Sequence, residues 1–192
     1  VVQWRAPESD VAPYENVDEL ILFQIFSERG LALITFEFFQ GLLSFYGTQI
    51  HHLNPNSILH ILIFVISVRP LFCYLFHLKP QPDTKISRKI GGCGFQLRQG
   101  REAEYLEYET PSSLSGWKDC WFYFGNHAPC LPDLSHEPPV PHANWNSEVV
   151  EEDMPQVWEL LSRVHEQREA GVTGASVMWS WLQRSDHILD IS

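Results

Sequence analysis

Residues 49–60 read QIHHLNPNSILH, and this stretch predicts where a buried helix begins in the first half of the chain. Asn54 has a side chain that caps helices, and Pro55 suits the first helical position because its φ is already near the helical value. Leu53 and Ile58 have the spacing of a hydrophobic staple across this helix start. The sequence therefore predicts a helix that begins at Pro55.

Further helices are predicted before this one. Asn16 and Glu19 have the spacing of a capping box, so a helix should follow them and end at Gly30. A second helix, at about residues 35–46, carries one apolar face. The helix that begins at Pro55 should run to about residue 67, before Arg69-Pro70 breaks it. Helices are thus expected across residues 16–68, behind a loose leader at residues 1–14.

A small sheet is predicted in the middle of the chain, after an exposed connector at residues 77–92. Strands are expected within residues 94–124, at the alternating Phe95 and Leu97, at residues 105–108 and at residues 120–124. The last run is nearly all aromatic, so it is expected to be a central strand with both faces covered. Residues 15–125 are therefore expected to form one α+β domain.

The last third of the chain is predicted to be a loop followed by two helices. The proline-rich residues 126–152 should lack regular structure, and residues 153–184 should form a helical hairpin before a tail at 185–192. This pair also resembles a helix-turn-helix, but Arg184 is the one arginine on its outward face, which favours a packing role. The predicted fold class is α+β: a helical N-terminal part, a small antiparallel aromatic-rich sheet in the middle and a C-terminal helical hairpin.

Charge is unevenly distributed along the chain. The formal net charge is −11, which disfavours nucleic-acid binding by the chain as a whole because phosphate is repelled. Residues 79–101 nevertheless carry six bases against one acid. This segment is the alternative hypothesis, a nucleic-acid-binding module. Its candidate contacts are Lys79, Lys85, Arg88, Lys89, Arg98 and Arg101.

No residue pattern in the sequence has the spacing of a catalytic or cofactor site. The glycine-rich turn at residues 91–94 lacks the Lys-Ser/Thr ending of a phosphate loop, and no GxSxG nucleophile elbow occurs. The chain is therefore predicted not to be an enzyme, with no cofactor and no small-molecule substrate. Residues 57–76 are mostly apolar, but their His and Arg favour a buried helix over a membrane span, so no membrane partner is expected.

A zinc site is considered and rejected. His127-x-x-Cys130 is the one tight pair among the possible ligands of the proline-rich loop, whereas zinc sites usually use two such pairs. These side chains are expected to be solvent-facing, and His51-His52 is expected to be a surface pair. The loop candidates are His127, Cys130, His136 and His142, with Cys120 nearby.

Eight separated strings carry a resemblance to a known family. They are YENVDELILFQ, QIHHLNPNSILH, FHLKPQP, GGCGFQLRQG, EYLEY, SGWKDCWFYFGN, MPQV and AGVTGASVM. In this order the chain resembles the gypsy-type transposon domain of plant Ty3/gypsy-like retroelements, from about Tyr14 to Arg184.

The resemblance implies a structural or assembly role, Gag-like in position, with no catalytic residue to carry over. Self-association is the implied partnership, and the RNA or DNA of the element is the weaker one. It also implies nuclear or cytoplasmic residence. Residues 67–76 resemble a shortened remnant of a longer helical stretch, and the tail after Arg184 lacks the basic continuation of relatives, which favours a decayed copy.

Overall fold

A computed structural model describes residues 4–7, 13, 16, 18–31, 36–64, 69–81, 90–110, 116–127, 131–132 and 138–180. Within these ranges the chain is α+β, which confirms the predicted fold class. The strands are β1 (Trp4–Arg5), β2 (Glu19–Phe23), β3 (Phe76–Pro80), β4 (Cys93–Leu97) and β5 (Trp121–Gly125). The helices are α1 (Gln24–Glu28), α2 (Phe36–Tyr46), α3 (Pro55–Ile63), α4 (Arg69–Leu75), α5 (Met154–Glu169) and α6, which includes residues 174–180.

Strand β5 is the centre of a three-stranded antiparallel sheet with the order β1-β5-β2. Tyr123 is fully buried and pairs with Ile21 of β2 on one side and Arg5 of β1 on the other. The aromatic residues beside it in β5 are half-buried. The prediction of a central aromatic strand is therefore confirmed, and the sheet joins the N-terminal residues to the middle of the chain.

Two elements of this sheet correct the sequence prediction. Trp4–Arg5 is a strand and not part of a loose leader, and Glu19–Phe23 is a strand where a helix was expected. The side chain of Glu19 does accept a hydrogen bond from the Asn16 N–H at 2.8 Å, as in a capping box. It also accepts two hydrogen bonds from Arg5, each of 2.7 Å, and the segment after it pairs with β5. Tertiary pairing therefore overrides the local helix signal.

A second, two-stranded sheet corrects the predicted connector. Strand β3 pairs antiparallel with β4, with Phe76 opposite Leu97 and Pro80 opposite Cys93. Pro80 is tolerated because β3 pairs with β4 alone within the described residues and is therefore an edge strand. The expected strand at residues 105–108 is wrong, since these residues follow a 3₁₀ turn at Glu102–Glu104 and pair with no strand of the described chain.

Aromatic rings fill the core between the helices and the second sheet. Phe72 stacks on Phe76 with ring centroids 4.9 Å apart, and Tyr105 stacks on Phe64 at 5.4 Å. Helix α4 contributes Leu71, Phe72 and Leu75, all completely buried. The stretch expected to be a shortened remnant thus forms a helix in the middle of the core, and residues 65–68 before it lie outside the described residues.

The proline-rich loop contains a 3₁₀ turn at Ala143–Asn146, which corrects the expectation that it lacks regular structure. Trp145 in this turn is only 3% exposed. Its indole Nε1–H donates a 2.8 Å hydrogen bond to the backbone carbonyl of Tyr46 at the end of α2. The turn therefore docks the loop onto the first half of the chain.

Two C-terminal helices form a hairpin, as the predicted fold class has it, while residues 181–184 of the predicted hairpin and the tail at 185–192 lie outside the described residues. Helix α5 buries Val157 and packs on α4, and the chain turns at Gly171, whose φ is +80°. The hydroxyl of Thr173 accepts a 3.1 Å hydrogen bond from the Ser176 N–H, which caps α6. Gly174 lies against the side chains of Tyr108 and Ile63, so the hairpin packs on the domain. Among the described residues no helix is long and apolar enough to cross a membrane.

Replacing Trp145 tests how much the docked turn contributes. Trp145→Phe removes the Nε1–H donor and leaves the buried Tyr46 carbonyl without it. We expect the free energy of unfolding to fall by about 1–3 kcal/mol, measured by urea denaturation. Trp179→Phe is the matched control, because Trp179 is 63% exposed and should change the free energy by less than about 0.5 kcal/mol. Equal effects of the two substitutions would contradict a role for the hydrogen bond.

Candidate functional site: a buried polar cluster and the basic segment

The stretch that begins helix α3 also fastens it to strand β4. The Asn54 Oδ1 atom accepts hydrogen bonds from the Ser57 N–H at 2.9 Å and from the Ser57 hydroxyl at 3.0 Å, as predicted for a cap. The Ser57 hydroxyl oxygen in turn accepts from the Phe95 N–H at 2.9 Å. The Asn54 N–H donates to the Cys93 carbonyl at 3.0 Å. This set of bonds, the α3–β4 joint, links residues about forty positions apart.

Gly94 allows the close approach at this joint. A Cβ atom on residue 94 would lie 2.1 Å from Nδ2 of Asn54 and 2.9 Å from Nε2 of Gln81. A glycine is therefore required for the helix cap and the strand to meet at this distance. The glycine-rich turn at residues 91–94 leads into a strand, and Gly91 in it has a φ of +63°.

The two adjacent histidines are buried and not at the surface, which corrects the prediction. His51 and His52 are each 1% exposed, and their rings meet edge to face at 4.7 Å. Nδ1 of His52 accepts a 3.2 Å hydrogen bond from the Gln49 N–H and lies 3.2 Å from the Thr48 hydroxyl. Because Nδ1 is an acceptor, the proton of the neutral ring is on Nε2. His52 thus stabilises the 3₁₀ turn Ile50–His52 that precedes the α3–β4 joint.

Cys93 packs with Thr48, His51 and His52, and together these four residues form a buried polar cluster. The residue is 0% exposed, and its thiol donates to the His52 carbonyl at 3.3 Å and lies 3.7 Å from the Thr48 hydroxyl. Burial raises the pKa of the Cys93 thiol to about 12. The sulfur therefore stays protonated at neutral pH, whereas a nucleophile or a metal ligand needs the thiolate.

His60 lies on α3 about one helical turn after Ser57, and it packs among aromatic rings. Its Nδ1 atom is 3.4 Å from the Tyr105 hydroxyl, and its ring lies 4.9 Å from Phe76. Burial lowers the pKa of His60 to about 4 because the charged ring would lose its hydration. At neutral pH His60 is uncharged, so it acts as a packing and hydrogen-bonding group.

The expected zinc candidates are only partly within the described chain. His127, His142 and Cys120 are exposed, while Cys130 and His136 lie outside the described residues. Nδ1 of His142 accepts a 3.2 Å hydrogen bond from the Asn144 N–H. Within the described ranges, no group of three His, Cys, Asp or Glu side chains could hold a metal ion.

The structure describes three of the six candidate nucleic-acid contacts, and these three have different surroundings. Lys79 is exposed at the end of β3. The Arg98 guanidinium turns inward, with Nε donating to the Cys73 carbonyl at 3.0 Å and one terminal nitrogen donating to the Ser147 carbonyl at 2.7 Å. Arg101 lies over the Tyr74 ring at 3.9 Å and pairs with Glu104 at 3.1 Å. The remaining candidates, Lys85, Arg88 and Lys89, lie outside the described residues.

Sequence reasoning did not anticipate that Arg98 is a structural residue. Its Nε also donates to the Phe76 carbonyl at 3.2 Å, and a terminal nitrogen donates to Asn146 Oδ1 at 3.0 Å. One side chain therefore ties α4, β3 and the docked turn together. The partners lie more than twenty positions away along the chain, so no local pattern reports them.

Comparison with known families gives one match. Residues 21–80 match the family described as "Putative gypsy type transposon". This segment is similar to the gypsy-type transposon family. The match spans 60 of the 192 residues, from β2 through α1, α2, α3 and α4 to the end of β3. Over these residues it confirms the gypsy-type part of the resemblance drawn from the sequence. No curated protein and no solved structure matches the chain.

The α3–β4 joint can be tested at Ser57. Ser57→Ala leaves the buried Phe95 N–H without its acceptor, so the free energy of unfolding should fall by about 1–3 kcal/mol. Ser162→Ala, at an exposed position of α5, is the matched control and should be close to neutral. Denaturant titration of both variants measures the difference. A Ser57→Ala variant as stable as the control would show that the joint contributes little.

His60 should make the fold sensitive to acid. The folded-state pKa is about 4, against the ordinary 6.5 expected in the unfolded chain. Above pH 6.5 both states carry a neutral ring, and stability is complete. As the pH falls from 6.5 towards 4, only the unfolded state binds the proton, so about 3 kcal/mol of stability is lost.

Two histidine substitutions isolate this effect. His60→Gln should flatten the loss of stability between pH 6.5 and 4, because glutamine does not titrate. His165→Gln, at an exposed position of α5, should lose stability between pH 6.5 and 4 as steeply as the wild type does. Thermal unfolding at a series of pH values checks this. The same slope in wild type and His60→Gln would assign the acid sensitivity to another group.

Proposed function

We propose that this chain is a non-enzymatic structural domain of a retroelement-derived protein, Gag-like in position, that assembles with copies of itself. The relation of residues 21–80 to gypsy-type transposons supports the retroelement origin. The matched segment contains the His51-His52 part of the polar cluster and the helix side of the α3–β4 joint, Asn54 and Ser57. These groups hold the fold together and support a structural role.

The observation that carries the assembly proposal is the exposure of three tryptophans. Trp4, Trp158 and Trp179 are 66%, 59% and 63% exposed. Tryptophan is enriched at the centres of protein interfaces, where its large ring is desolvated. Each of the three lies on a regular element, β1, α5 or α6, so each is presented on a defined surface.

The chemistry of the buried groups supports the non-enzymatic part of the proposal. Cys93 stays protonated and His60 stays neutral at pH 7, since burial shifts each pKa away from neutrality. A general base works best with a pKa near the working pH, and a cysteine nucleophile needs a lowered pKa. A cysteine nucleophile would need a lowered pKa, but the pKa of Cys93 is raised. A histidine base would need a pKa near 7, but the pKa of His60 is lowered away from it.

Self-association should be visible as the protein is concentrated. We expect sedimentation to show a mass that rises with concentration, and Trp158→Ser to require a higher concentration for the same mass. Val140→Ser is a matched control at a 71% exposed apolar residue in the loop. A wild-type protein that stays monomeric at the highest soluble concentration would rule out the assembly role.

Nucleic-acid binding by residues 79–101 is the second candidate, and the exposure of Lys79 favours it. Because Arg98 and Arg101 are engaged within the fold, at most four of the six bases are candidates for phosphate contacts. Binding of single-stranded RNA should then weaken with salt with a log–log slope of no more than about 3. In the same sedimentation experiment, association that appears only with added RNA would support this function over direct assembly.

A further inference from the structure

Helix α5 carries an exposed tryptophan on a side of the helix that leads to a cleft. Spacings of three and four residues place four exposed side chains along this side: Trp158, Ser162, His165 and Glu169. The indole of Trp158 is 59% exposed, whereas the neighbouring Val157 is buried against the domain. We call this exposed side of α5 the Trp158 flank.

The C-terminal end of the Trp158 flank forms one wall of a cleft of about 430 Å³. The cleft lies between the end of α5, the turn that follows it and the chain around the 3₁₀ turn Glu102–Glu104. Within it, Nε2 of His165 lies 3.3 Å from a carboxylate oxygen of Glu169. The lining combines apolar and charged side chains, among them Ala103, Glu107, His165, Arg168, Glu169 and Val172.

The chemistry of this cleft suits an indole ring. Ala103 and Val172 offer apolar contact, and the guanidinium of Arg168 is a cation of the kind that lies over a tryptophan face. The carboxylates of Glu107 and Glu169 are acceptors for an indole N–H. The volume is at the lower end of the range of about 300–1,000 Å³ for ligand sites, which fits one large side chain.

Trp158 of the same chain does not reach this cleft. At a rise of 1.5 Å per residue, it precedes His165 by about 10 Å and Arg168 by about 15 Å along the helix. Side chains extend only about 5–6 Å from a helix axis, and they lean towards the N-terminus, which here is away from the cleft. The ring and the cleft therefore stay apart within one molecule, at a fixed separation on one rigid helix.

We propose, resting on the assembly function above, that two copies of this chain form a two-fold dimer through α5, in which Trp158 of each copy enters the cleft of the other. The two helices then run antiparallel. The midpoint between Trp158 and Arg168 falls at residue 163, so the two-fold axis passes beside Ser162. Serine is small, and its exposed position lets the two helices approach closely there.

The charges along α5 suit this antiparallel arrangement. Residues 148–153, which lead into the helix, carry four acids and no base, and the last turn of the helix carries Arg168. An antiparallel pair brings Arg168 of each copy towards the acidic start of its partner, where opposite charges attract. The helix dipoles add to this attraction, because the positive N-terminus of one helix lies beside the negative C-terminus of the other.

The contact is self-complementary and therefore closes. Each copy gives one ring and receives one ring, so a single kind of surface satisfies both molecules. The ring and the cleft are held on the same helix, which means that both insertions occur together or not at all. This interface alone accordingly produces a dimer, and any larger assembly uses other surfaces of the chain.

A mixing experiment with two variants of the full chain tests the proposal. Trp158→Ser removes the ring, and Ala103→Trp fills the cleft with a ring of its own. Each variant alone should need at least a roughly tenfold higher concentration to dimerise in sedimentation, because a buried tryptophan is the side chain on which interfaces most often depend. An equal mixture should dimerise at a lower concentration than either variant alone, since one copy still offers Trp158 and the other still offers an open cleft.

Matched variants separate this contact from a loss of folding and from the general effect of an exposed tryptophan. Trp4→Ser should leave dimerisation unchanged, because the 66% exposed Trp4 lies on β1 of the three-stranded sheet and not on α5. Far-ultraviolet circular dichroism checks that each variant is folded. If Ala103→Trp does not fold, Ser162→Arg tests the axis instead: two guanidinium groups would then face each other, and dimerisation should weaken, whereas Ser162→Ala should retain it.

The outcomes distinguish this dimer from the assembly function on which it rests. A wild-type chain that never associates ends both. Wild-type association that folded Trp158→Ser or Ala103→Trp retains, or that the mixture fails to improve, overturns the dimer while leaving assembly by another surface intact. Trp4→Ser weakening association as much as Trp158→Ser also overturns it, because the loss would then follow from any exposed tryptophan.

Discussion

The structure depends on the α3–β4 joint, in which one serine hydroxyl donates to the capping side chain of a helix and accepts from the backbone of a strand. Asn54 and Ser57 satisfy the helix N-terminus, and Ser57 also satisfies the Phe95 N–H. These are buried polar groups, and leaving one unpaired costs about 1–3 kcal/mol. Helix α3 and strand β4 therefore stabilise each other, and the buried histidines His51 and His52 lie directly before this joint.

The elements that sequence reasoning found are those with local causes. The cap at Asn54, the end of α2 before Gly47 and the Thr173 cap depend on residues within a few positions of each other. The relation to gypsy-type transposons was also accessible, because it depends on ordered strings of residues. Such features can be recognised from residues that lie close together in the sequence.

The elements that it missed have distant partners. Strand β2 exists because β5 pairs with it about one hundred positions later, and the Glu19–Arg5 ion pair joins it to a two-residue strand too short to recognise. Trp145 binds a carbonyl 99 positions away, inside a loop whose prolines suggested no structure. Distant partners also explain why the candidate nucleic-acid contact Arg98 is a structural residue. Its guanidinium turns inward because it donates hydrogen bonds to the carbonyls of Cys73 and Ser147.

The absence of a side chain at Gly94 has a consequence for which substitutions this fold tolerates. A Cβ atom there would meet the Asn54 amide at 2.1 Å, so the two positions constrain each other. Replacing Asn54 by a smaller residue removes the helix cap, but a Cβ atom at position 94 would still lie 2.9 Å from the side-chain amide of Gln81. Positions 54, 81 and 94 are therefore coupled, and a substitution at one of them is tolerated only if the other two side chains adjust.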